Sequence, residues 1–124
     1  MDINLRTVRP AAILTTSYVA GTVLEDVQKY NNLQLLIDFT KGSLIDAQIK
    51  VEQSLDNSDW YELGSDTIAT GVNTLDANIT LLNETQKRSV SYPINTRFIR
   101  VSAIGTGTVT DSSLKIQAIL GKVE

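Results

Sequence analysis

The chain contains neither cysteine nor histidine. Those absences exclude disulfides, thiolate and imidazole metal centres, cysteine nucleophiles, the Ser-His-Asp arrangement and histidine acid–base catalysis. Whatever chemistry remains falls to carboxylates, lysine, tyrosine and hydroxyls. Proline is scarce, at Pro10 and Pro93 only, and there is a single tryptophan, Trp60. A basic excess is also missing: Lys plus Arg is 11 against 14 Asp plus Glu, a net charge of −3. This argues against a nucleic-acid partner. No apolar run approaches the ~18 residues of a membrane span, so no membrane partner is expected. The opening residues, Met1 to Arg6, lack the charged and apolar regions of a signal peptide. No cofactor or metal is expected.

What is present is 124 residues with 42% hydrophobic and 20% charged side chains. That is enough for one domain over 1–124 with one core. Short stretches with period-2 alternation predict strands. Leu33, Leu35, Ile37 and Phe39 share one face, and Lys41-Gly42-Ser43 reads as a turn. Ile45, Ala47, Ile49 and Val51 alternate with Asp46, Gln48, Lys50 and Glu52. Further strands are expected at Trp60–Leu63, Leu75–Leu81, Val90–Ile94, Arg97–Ala103 and Leu114–Leu120. Thr7–Thr15 and Val19–Val27 are less regular strand candidates. No long amphipathic helix is seen. About seven to nine strands at roughly 8–12-residue spacing predict an all-β, antiparallel sandwich of jelly-roll or immunoglobulin-like type. Residues 1–10 are expected as a flexible or partner-pairing arm, because Ile3, Leu5 and Val8 are spaced to pair with something.

Several clusters invite a functional reading. Asp56, Asn57, Asp59 and Glu62 offer oxygen ligands for Ca²⁺, but no glycine sits in the loop and the EF-hand spacing is absent, so a polar turn is favoured. Asp56 and Glu62 as a glycosidase pair lack the apolar setting that raises a carboxylate pKa, and no enzymatic activity is expected. Trp60 and Tyr61 adjoin, so on a strand one is buried or on a rim and the other is free to stack on a sugar. Arg97 and Arg100, with Lys87 and Arg88, read as a local positive spot for an acidic partner or as a solvated strand rim. Gly105-Thr106-Gly107-Thr108 reads as a β-turn. The sequons at Asn78 and Asn83 carry no weight without a signal peptide.

Leu33–Tyr61, with its "FTKGS" turn, "KVEQS" strand and "DNSDWYE" turn, is followed later by "RFIRV" in Arg97–Gly121. Together they resemble the small β-sandwich virion proteins of tailed bacteriophages, especially capsid decoration proteins. The resemblance runs over Leu33–Glu124. It implies a non-enzymatic virion protein that stabilises the assembled head by binding only the assembled shell. It also implies the major capsid protein or other virion proteins as partners, and a homo-oligomer, a trimer favoured. The partner-binding residues expected are Met1, Asp2, Ile3, Asn4, Leu5 and Arg6 in the arm, then Trp60, Tyr61, Arg97 and Arg100. Similar "W-Y" and "R-F-I-R-V" elements occur in discoidin-like and other carbohydrate-binding sandwiches. A glycan- or receptor-binding module is therefore one alternative. A neck, tail or head–tail connector position is another.

Overall fold

The structure, a computed structural model, describes residues 2–63, 65–67, 72–75, 78–82 and 84–122. Its strands are β1 (Asp2–Ala12), β2 (Val19–Ala20), β3 (Asn32–Thr40), β4 (Leu44–Ser54), β5 (Tyr61–Glu62), β6 (Ser65–Thr67), β7 (Val72–Leu75), β8 (Asn78–Leu82), β9 (Gln86–Pro93), β10 (Phe98–Gly107) and β11 (Ser113–Lys122). One 3-10 turn, Val27–Lys29, precedes β3.

The first sheet has the order β1-β11-β3-β9 and the second the order β2-β10-β4-β5, with β8 also on β4. All these pairs are antiparallel. The chain thus changes sheet at each step from β1 to β4 and again from β9 to β11. An immunoglobulin sandwich would instead keep its first two strands, its fourth and fifth and its last two side by side in one sheet. Alternation between two four-strand layers is the jelly-roll arrangement. The expected all-β sandwich is therefore the observed one, in its jelly-roll form. β6 and β7 pair separately.

Alternation explains the core. Leu33, Leu35, Ile37 and Phe39 of β3 face inward beside Leu114, Ile116, Ala118 and Leu120 of β11. From the other sheet come Ala47, Ile49 and Val51 of β4 and Ile99, Val101 and Ala103 of β10. All are buried. Val8, Leu14, Leu24, Val27, Leu44, Leu63, Tyr92 and Ile94 complete the cluster among the described residues.

The N-terminal segment, expected over 1–10 as a flexible or partner-pairing arm, is a strand over its described residues. Residues 2–12 are a strand of the chain's own first sheet, in register Asn4↔Leu120 and Arg6↔Ala118 against β11. Met1 lies outside the described residues. The pairing holds because β11 offers it a full ladder of backbone partners. Beyond Thr7 the register shifts, and Arg9 secures the irregular end: its Nε donates to the Leu114 carbonyl (3.1 Å) and its Nη2 to that of Ile13 (2.8 Å). Of the expected strand over 19–27, only β2 is regular. The rest follows the outer edge of β10 through isolated bonds, such as Gly21 N–H to Val101 O (2.8 Å) and Leu24 N–H to Ile99 O (2.8 Å). The expected strand over 75–81 divides into β7 and β8, and residues 76 and 77 lie outside the described ones. Gly105 is no turn residue: it is buried in β10 with Leu14, Leu44 and Val109 against it, and the strand continues to Gly107.

The turn after β3 is as expected, and it is tied to the loop before β11. The Asp111 carboxylate accepts from the Ser43 N–H and from its hydroxyl, both at 2.8 Å. Gly42 lies between them at φ +57°, and a Cβ there would strike the Asp111 backbone. Gly42→Ala is expected to destabilise the protein by roughly 1–3 kcal/mol. A fall in the urea midpoint at unchanged slope would register it. The Ser43 N–H and hydroxyl bonds hold the Asp111 carboxyl below its ordinary value. A depressed carboxylate contributes stability that is present above its unfolded pKa and is lost as pH falls through the folded one. Asp111→Asn should therefore lower the melting temperature at neutral pH and weaken its dependence on pH below about 4. Thermal melts from pH 6 down to pH 2 would show it.

Candidate interaction surfaces

The outer face of the second sheet carries the most organised polar cluster. Arg100 and Glu52 are cross-strand partners on β10 and β4. Arg100 donates to one Glu52 oxygen from Nε (3.1 Å) and Nη2 (2.8 Å). The Glu52 side chain is only 11% exposed. The same guanidinium lies 4.4 Å from the centroid of the Trp60 ring. Two residues along β4, Lys50 sits 4.4 Å over the Tyr18 ring, whose hydroxyl bonds to Gln48 Oε1 (3.2 Å). Burial, then the Glu62 charge, raises the Tyr18 hydroxyl's pKa. Each aromatic ring therefore already has a cation on one face. A sugar stacking on that face would have to displace it.

Trp60 and Tyr61 point apart, as adjacent residues in extended chain must. Tyr61 is 67% exposed and lines a depression of about 250 Å³ with Leu55, Asp56 and Thr96 at one end of the sandwich. The neighbouring turn is built by Asp56. Its Oδ1 accepts from the N–H groups of Asp59 (2.8 Å) and Ser58 (2.9 Å) and from the Ser54 hydroxyl (3.0 Å). Those bonds, the Asp59 one first, hold its carboxyl below the ordinary range. This is a self-satisfied Asx turn. Its carboxylate is shifted in the direction opposite to that of a general acid. Among the described residues, no three His, Cys, Asp or Glu side chains converge as a metal site would need.

The expected positive spot is dispersed. Arg100 is spent on Glu52. Arg97 meets Asp26 at 3.6 Å in an exposed pair and lies 5.5 Å from the Phe98 centroid. Lys87 and Arg88 belong to β9, in the other sheet. There they line a shallow depression of about 520 Å³ with Leu36, Asp38 and Lys115. Sequence distance misled here, because β9 and β10 are consecutive in the chain but belong to opposite layers. Tyr18 was not singled out by the sequence, since it lies in an irregular segment without alternation.

The N-terminal residues form a third surface. On β1, Asn4 and Arg6 are half-buried on the inward side of the sheet. Arg6 donates from Nε to Asn4 Oδ1 (3.0 Å) and from Nη1 to the Glu25 carbonyl (2.9 Å). Ile3 and Leu5 alternate with them on the outward side, 64% and 58% exposed. The partner-binding residues expected from sequence therefore occupy separate places: the β1 edge, the Trp60–Arg100 face, and the loop ends at Tyr61 and Arg97.

No protein-family model and no curated protein sequence matches the chain. Solved structures do share its fold. The SPBc2 prophage-derived protein YomS superposes with a TM-score of 0.64 at 19% identity, over 96% of this chain and 92% of that one. The PBSX exported protein XepA gives 0.66 at 10% identity, over 98% of this chain and 38% of its own. A protein of Bacillus endospore appendages, described as disulfide-linked pili, gives 0.54 at 12% identity, over 98% and 89%. At these identities the likeness is one of fold, and the chain is similar in fold to a set of proteins that includes one described as prophage-derived.

Proposed function

We propose that the chain is a non-enzymatic structural protein of a phage particle, acting as a decoration protein of the assembled head. The observation that carries this reading is the shared fold with the prophage-derived YomS over nearly the full length of both chains. The appendage protein has the same fold, but its disulfide-linked assembly is closed to a chain without cysteine. Three of the described carboxylates have structural partners. Asp56 and Asp111 serve turns, and Glu52 serves Arg100. A protein that binds the assembled shell and not its free subunits stabilises the shell by linkage.

The test is co-sedimentation of the purified protein with separated heads and tails stripped of it. The reading expects saturable binding to heads and a higher temperature of head disruption. Binding to tails alone would move the assignment to a neck or tail position, and binding to neither would refute it.

A further inference from the structure

Sheet edges expose unpaired N–H and C=O groups, and monomeric proteins guard them with charge, proline, bulges or covering chain. Among the described residues, the long edges of the two main sheets are covered or carry lysine or proline, except one. Residues 15–27 cover β10 through backbone bonds, β5 and β8 cover β4, and β9 carries Lys87, Arg88 and Pro93. Strand β1 from Ile3 to Thr7 has no lysine, proline or bulge; its one charged side chain, Arg6, is turned inward onto Asn4 and the Glu25 carbonyl, its one strand neighbour among the described residues is β11, and the Thr22 N–H reaches β1 only beyond this stretch, at the Val8 carbonyl. Its two large side chains there, Ile3 and Leu5, are both more than half exposed.

We propose that this edge pairs with β1 of a second copy, antiparallel about a two-fold axis at Asn4, joining two four-stranded sheets into one of eight. The backbone orientation favours this register. The Gly121 carbonyl accepts from the Asn31 N–H (3.0 Å), on the β3 side of β11. The Asn31 carbonyl in turn accepts from Ile94 (3.1 Å) on the β9 side, the alternation that points Gly121, Ile119 and Gln117 toward β3. Ile3, Leu5 and Thr7, opposite those three, therefore direct their own N–H and C=O groups away from β11 to the open edge.

An axis at Asn4 sets Ile3 of each copy against Leu5 of the other as hydrogen-bonded pairs. Their side chains then meet on the outward face, beside Ile119. A segment that matches its own reverse in backbone and apolar contact is fitted to a second copy of itself. Edge pairing of this kind gives a dimer where the sequence resemblance implies a trimer. The inference does not rest on the phage assignment.

Sedimentation equilibrium of the full chain, from micromolar to near-millimolar concentration, tests it. A reversible dimer is expected. Leu5→Lys, at an exposed position, should raise its dissociation constant at least about tenfold while leaving the circular dichroism unchanged. Ile3→Lys serves if that variant misfolds. The register has its own test, since the chain has no cysteine. Asn4→Cys places two thiols at a non-hydrogen-bonded pair with Cα atoms about 4.5 Å apart, within disulfide reach. Thr7→Cys leaves its two copies roughly 20 Å apart. Rapid oxidation of Asn4→Cys to a covalent dimer, with Thr7→Cys lagging, supports the proposal. A monomer throughout, a trimer, a dimer indifferent to the lysine variants, or equal oxidation of the two cysteine variants would overturn it.

Discussion

Arg100→Ala is expected to destabilise the protein by about 2–4 kcal/mol, which would make it one of the costliest substitutions on the outer faces of the sheets. The reason is what it leaves behind. Glu52 is a carboxylate with a side chain 11% exposed, and one of its oxygens takes both guanidinium bonds. Without Arg100 that charge sits in a poorly hydrated place with no cation against it. The Trp60 ring also loses its stacking cation, a contribution of about 0.5–1 kcal/mol. Removing both partners is a different matter. Arg100→Leu with Glu52→Leu deletes the charge and the need for it together, and should lose less than Arg100→Ala alone. Urea denaturation of the two variants would decide it. Equal losses, or a loss below about 0.5 kcal/mol for Arg100→Ala, would mean that Glu52 is adequately served by water.

Phe39→Ala should cost about 3–5 kcal/mol, a large part of the 5–15 kcal/mol that holds a typical domain together. Phe39 is fully buried on β3, next to Leu114 of β11 and opposite Gln86 of β9. Its position between two strands of the sheet leaves the surrounding chain little scope to collapse into the space. Phe98 is the natural control. It is the other phenylalanine, only half-buried, at the start of β10. Phe98→Ala should lose less than half as much, and the two denaturation midpoints measure the difference directly. A larger loss at Phe98 would contradict the placement of the core between the two sheets.

The sequence disclosed faces more readily than partners. In β3 and β11, and in β4 from Ala47 to Val51, the period-2 alternation correctly marks which side chains are buried, because each strand has one face on the core and one toward solvent; at the start of β4 it fails, since Ile45 is 65% exposed and Leu44 is buried instead, where the pairing with β10 shifts register between Asp46 and Leu44. The jelly-roll order could not be read the same way. Alternation is local, whereas β1 pairs with β11 and β3 with β9 across most of the chain. On β1 the pattern is inverted: Asn4 and Arg6 point inward at the sheet margin while Ile3 and Leu5 point out. That inversion hid the strand behind the appearance of an arm, and it is also the feature that marks the edge for pairing. The Trp60–Arg100–Glu52 cluster was half visible. Its aromatic and its cation were both picked out, but only the β4–β10 register brings Glu52 against Arg100.

The proposed role would build this chain into a phage particle. Quantitative peptide mass spectrometry of density-purified particles tests it most directly. The account predicts peptides of this chain in a fixed ratio to the major capsid protein, retained through high-salt washing. Absence from purified particles, with the protein recovered only from the surrounding lysate, would contradict it.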